Sequence, residues 1–164
     1  MPYLQLDVSG SYAPNVKRRL AKRMGEIYAL TMQADVNRIS VAIRELTPGG
    51  LWRCTPSEPY EAALLMCDIR KGRPPEQRAE LAKALVDACI DTLGLRIEQI
   101  NVEFTQHAGD EMYHPMRGGL SDDWRPDEVD ENSSRQGANG DTKKQTRSNP
   151  SSWWVFLGRA AIQS

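Results

Sequence analysis

The chain matches itself at a fixed offset, and no other feature limits its fold as much. Leu4 falls on Leu65, Asp7 on Asp68, Val8 on Ile69 and Pro14 on Pro75. The run Leu20-Ala21-Lys22 falls on Leu81-Ala82-Lys83, and Thr31 on Thr92. Ile39, Val41 and Ile43 fall on Ile100, Val102 and Phe104. About forty residues align without a gap, in one register and with one element pattern, which marks a duplicated unit.

Each copy reads strand, loop, helix, turn, strand. In the first copy, residues 3–8 alternate as a strand does. The helix covers about 14–32, with Val16, Leu20, Met24, Ile27 and Tyr28 on one face. Residues 39–45 alternate again as the second strand. In the second copy, residues 63–69 are nearly continuously apolar and read as a strand buried on both faces. Its helix starts near Pro75, because proline suits the first helical turn, and Gly94 closes it. Leu81, Leu85, Ala88, Cys89 and Thr92 make the inward stripe, and a strand follows at 99–105. A strand–helix–strand unit places its two strands parallel with a right-handed crossover. Two such units predict an α/β (α+β) fold, a four-stranded sheet with two helices on one face. An apolar uncovered face would then need burial by oligomerisation.

The 164 residues suffice for one ordinary domain. A net charge of −1 gives no bulk electrostatic case for nucleic acid or an anionic membrane. No apolar run reaches the roughly 18 residues of a membrane span, and no signal-peptide pattern opens the chain. Cys54, Cys67 and Cys89 lack metal spacing, and Cys67 and Cys89 read as buried thiols. So sparse a cysteine set points to a reducing cytoplasm, with no metal or cofactor expected.

Pro2 follows Met1 and heads the first strand. Methionine removal would leave a free secondary amine there. An α-amino group has an unperturbed pKa of roughly 7.7–8, close enough to neutrality for a general acid or base. The plainer reading of an isolated Met-Pro start is a processing signal or a strand starter.

Pro2 at the head of a duplicated strand–helix–strand unit resembles the tautomerase superfamily, the family of the 4-oxalocrotonate tautomerase-like fold. The segment Ile69-Arg70-Lys71-Gly72-Arg73 is similar to that of the cis-3-chloroacrylic acid dehalogenase group. The resemblance covers about residues 2–125. It implies a catalytic Pro2, an Arg70/Arg73 pair that binds a substrate carboxylate, and a homotrimer. The pair makes physical sense. Arginine presents a planar fork to a carboxylate, and Arg73 lies just ahead of a helix N-terminus. Two fixed cations would also lower the pKa of a neighbouring amine. The plain alternative makes both arginines solvated loop residues.

The sequence departs from the group at three places. Where the group carries a helix histidine that helps bind the carboxylate, Tyr28 stands, which donates a hydrogen bond but brings no charge. Tyr28 also suits an ordinary core position. Where the group has a strand tyrosine and a later glutamate that activate water, Glu103 and His114 fall, with Glu111 or Tyr113 as alternatives and His107 a weaker one. His114 could serve as a base near neutral pH or lie in an exposed loop.

These departures count against dehalogenation. Keto–enol tautomerisation of a small carboxylate-bearing acid asks only for an amine and a cationic clamp, which Pro2, Arg70 and Arg73 would supply. Hydratase or malonate semialdehyde decarboxylase-like chemistry is the related alternative, and a non-catalytic trimeric binding or scaffold protein the contrasting one.

The domain is expected at residues 1–120, with units at about 2–46 and 63–106. Residues 121–150 are polar and should be disordered, before the apolar Trp153-Trp154-Val155-Phe156-Leu157. Residues 47–60 join the units. The resemblance implies a hairpin there that contacts the next subunit, with Trp52 as an anchor or a pocket wall.

Overall fold

The computed structural model describes residues 2–115 and 118–126. The first unit comprises β1 (Tyr3–Ser9), α1 (Pro14–Thr31) and β2 (Ser40–Leu46). A short hairpin of β3 (Trp52–Arg53) and β4 (Tyr60–Glu61) leads to the second unit. That unit comprises β5 (Ala63–Arg70), α2 (Pro75–Leu93) and β6 (Ile100–His107). A last hairpin joins β7 (Tyr113–His114) to β8 (Gly119–Leu120).

The main sheet runs β2-β1-β5-β6. Each unit pairs its own strands in parallel, and the units meet antiparallel at β1 and β5. The duplication is thus seen as two right-handed crossovers placed head to tail. Register puts Leu4 beside Val41 and Cys67, and Leu6 beside Ile43 and Leu65. Val102 stands beside Leu65 and Phe104 beside Cys67. Because side chains alternate along a strand, all of these face the helices.

Both helices start on a proline, where a missing N–H costs nothing. From α1, Leu20, Met24 and Tyr28 are buried, and from α2, Leu81, Leu85, Ala88 and Cys89. They close one core with Leu4, Leu6, Val8, Leu65, Cys67 and Ile69. Burial pushes the thiols of Cys67 and Cys89 up to about 12, so both are inert neutral groups at ordinary pH.

The other sheet face corrects two expectations. β5 is not buried on both faces: Ala63, Leu65, Cys67 and Ile69 are buried, but Leu64, Met66 and Asp68 are half-buried. The outer face is also largely polar. It carries Gln5, the Asp7–Arg44 ion pair, Thr105 bonded to Asp68, and Glu103, with Tyr3, Ala42, Leu64 and Met66 as its apolar members. The argument for oligomerisation from a bare apolar face therefore does not apply to this chain.

Residues 121–126 pack on the core through contacts described below, and those beyond 126, including Trp153 to Leu157, lie outside the described residues. No helix among the described residues is long and apolar enough to cross a membrane.

Candidate active site

Pro2 stands at the head of β1, where its carbonyl accepts a hydrogen bond from the Ser40 N–H at 3.1 Å. The register Tyr3 to Ser40 on one side and Tyr3 to Asp68 on the other sets the start of β2 and the end of β5 as its two flanks. Adjacent strands are about 4.8 Å apart, so both flanks are within side-chain reach of Pro2. Arg70 ends β5, and Lys71 donates its N–H to the His107 carbonyl at 2.7 Å, which ties the loop to β6. Gly72, with φ of +105°, then turns the chain so that Arg73 precedes α2.

A half-open pocket forms where these pieces meet. It is lined by Pro2, Tyr28, Arg38, Arg70, Arg73 and His114, with Gln33, Ala34, Met112, Ser121 and Trp124 completing the wall. Of the residues singled out from sequence, Pro2, Tyr28, Arg70, Arg73 and His114 come together, and Glu103 does not. Glu103 lies at the register position beside Met66, on the exposed face away from the helices. The strand period sets this orientation: Val102 and Phe104 face inward, so the residue between them faces out.

The remaining candidates also lie outside the pocket lining. Glu111 accepts the Ala108 N–H at 2.9 Å and stands 3.6 Å from His107. His107 is 2.9 Å from Asp68, and Tyr113 is exposed. Trp52 is half exposed on the β3–β4 hairpin and donates its indole N–H to the Gly49 carbonyl at 2.7 Å.

Tyr28 is both core and pocket wall, being 2% exposed. Burial raises its phenol well above the ordinary tyrosine range, and the positive charges of Arg73 and Arg70 only partly oppose this. It therefore keeps its proton and can donate it in a hydrogen bond. Arg73 is a buried cation at 7% exposure, its guanidinium 4.6 Å from the centroid of the Trp124 ring. Arg70 donates from Nη1 to the Asp122 carbonyl at 3.0 Å. His114 is held below the usual histidine range by burial first and then by neighbouring positive charge, including Arg70, so it is neutral at pH 7.

Among the lining residues that sequence reasoning did not single out are Arg38 and Trp124. Arg38 ends a 3-10 turn at Val36–Arg38, just ahead of β2, and its Nη2 is enclosed without a hydrogen-bond partner among the described residues. The repeat sets Arg38 opposite Gln99, so nothing in the duplication marked it. Its place immediately before the strand that flanks Pro2 was the available signal. Trp124 was missed because its neighbours Asp122, Asp123 and Arg125 made the stretch read as a solvated tail.

No protein-family model and no curated protein matches the sequence. Solved structures do match in fold. A member of the cis-3-chloroacrylic acid dehalogenase family, N1, superposes with a TM-score of 0.66 at 17% identity, covering 83% of this chain and 91% of that one. The Q0 fused 4-OT, a symmetric trimer, gives 0.63 at 22% identity, covering 73% and 94%. Pt0534, described as inactivated by 2-oxo-3-pentynoate, gives 0.62 at 22% identity, covering 73% and 94%. The fold is that of tautomerase superfamily structures, two helices on a four-stranded mixed sheet.

Proposed function

We propose that the chain is a tautomerase-superfamily enzyme that uses the Pro2 amine as general acid and base on a small keto–enol or unsaturated acid bearing a carboxylate. The observation that carries this reading is the gathering of Pro2, Arg70 and Arg73 on one pocket, from the head of the first unit and the strand-to-helix loop of the second. A non-catalytic scaffold has no need of that coincidence.

In this reading Met1 is removed and the ring nitrogen of Pro2 becomes a basic amine. Arg70 and Arg73 hold the substrate carboxylate, and their charge lowers the amine pKa so that the free base is available near neutrality. The amine takes the enolic proton or one from the adjacent carbon and returns a proton to the other site. Negative charge that develops on the oxygen meets the neutral Tyr28 phenol and, from the β2 flank, Arg38. That Pt0534 is inactivated by 2-oxo-3-pentynoate, a short 2-oxo acid, supports the substrate class.

Dehalogenase-like hydration is the second reading, favoured by the 83% coverage of the likeness to N1. It needs a base that activates water. Glu103 stands outside the pocket lining, which leaves neutral His114 for that role.

Ketonisation of phenylenolpyruvate, followed by ultraviolet absorbance, tests the proposal. The protein should be active, and Pro2→Ala and Arg73→Ala should each lower kcat/KM by at least about 100-fold, the scale of a lost acid–base group. Activity indifferent to Pro2, or an intact mass that retains Met1, would overturn it.

A further inference from the structure

Residues 118–126 lie beyond both repeated units, yet they are fastened to the segment after β6 and to the arginine loop. Ser121 donates its N–H to the Met112 carbonyl at 3.0 Å, and the β7–β8 pairing sets Tyr113 opposite Leu120. Asp123 accepts the Gly109 N–H at 2.7 Å, and the Asp122 carbonyl accepts from Arg70. Two glycines make room for the segment. A Cβ on Gly109 would fall 2.1 Å from the Asp122 carbonyl carbon, and one on Gly72 would fall 3.1 Å from the Trp124 carbonyl oxygen. The result is the Trp124 ring under the Arg73 guanidinium.

We infer that Trp124 is a positioning residue for substrate binding: it fixes the guanidinium plane of Arg73 so that the arginine's fork is presented to a carboxylate in the pocket. The inference rests on the proposed function for the identity of the anion, and on the 4.6 Å cation–π contact and the glycine-lined approach of the segment for the role of Trp124. The N–H donors of a guanidinium lie in its plane. A ring stacked on one face leaves that donor edge available and removes the rotational freedom of a long side chain. Ordering the clamp before the acid arrives spares binding that entropy. The ring also stabilises a cation held in a buried place beside a second one, Arg70.

The test compares Trp124→Ala, Trp124→Phe and Gly109→Ala in the full chain, on phenylenolpyruvate. Gly109 is outside the pocket lining, so its added methyl displaces the segment without changing a lining side chain. Trp124→Ala and Gly109→Ala should each raise KM by about 3- to 30-fold, the range of a cation–π contact. Their kcat should stay within about twofold, because the ring acts on binding rather than proton transfer. Trp124→Phe, which keeps a stacking ring, should restore most of the loss.

An unchanged KM in Trp124→Ala, or a Phe variant no better than the Ala variant, would overturn the inference. If the wild-type chain turns over no phenylenolpyruvate, the proposed reaction fails, and the inference is judged by binding alone. A chain whose other tryptophans are replaced by phenylalanine is then titrated with pyruvate. A Trp124 emission change that Arg73→Ala abolishes supports the positioning role. No change overturns it.

Discussion

At the scale of the residue, chemistry depends on which side chains the fold strips of water. Tyr28 and Arg73 are both nearly inaccessible, and their buried positions have opposite results. The phenol loses its acidity and becomes a fixed donor, while the guanidinium keeps its charge and rests on an aromatic face. His114 responds as a half-buried base near cations should. Its imidazole resonances, followed by NMR, are expected to titrate below the ordinary histidine value of about 6.5. Arg70→Ala should raise that midpoint by removing a repelling charge. The linked effect on stability has a definite sign. Because the folded value is depressed, the contribution is complete above the unfolded pKa and is lost as pH falls through the folded one. Stability should therefore decline on acidification below about pH 6.5, and His114→Gln should reduce that decline.

At the scale of the element, terminators rather than helix interiors decide where the site residues end up. Gly94 ends α2 in the left-handed region at φ of +72°, its N–H bonded to the Ile90 carbonyl. A Cβ there would meet nothing within 4 Å, so a substitution costs only backbone strain. Gly94→Ala is expected to lower stability by about 1 kcal/mol in urea unfolding with an unchanged slope. α1 ends differently: Gln33 takes a positive φ of 48° and lines the pocket. Helix stripes, the β-strand alternation and the Pro14 and Pro75 starts were all legible in sequence, because each follows from local periodicity or a single residue's geometry. The inward or outward sense of Glu103 followed from the same alternation.

At the scale of the whole molecule, duplication creates two equivalent strand ends, and only one carries the candidate site residues. The counterpart of Pro2 is Ala63, buried in mid-chain without an amine, and the counterparts of Arg70 and Arg73 are Ser9 and Tyr12. There the Tyr12 hydroxyl donates to the Ser9 carbonyl, and Lys17 pairs with Glu45 at 2.9 Å. One site per chain is the consequence. The homotrimer that the resemblance in the sequence implies is open to a direct test. Sedimentation equilibrium should return three times the 18.4 kDa chain mass. A monomer mass would sink that expectation.

The sequence alone determined the duplicated unit, its helices and strands, and Pro2 as a candidate amine, while Arg70 and Arg73 were marked by resemblance. Repetition, periodicity and an unusual terminus are all local or self-referential signals. What only the tertiary structure decided is which residues share the pocket. Arg38 enters because β2 pairs beside β1, and His114 because a hairpin follows β6. Trp124 enters because Gly72 and Gly109 let a polar-looking segment approach the arginine loop. Contacts between residues far apart in sequence depend on strand order and on the space left by missing side chains, and neither is written in any single stretch of the chain.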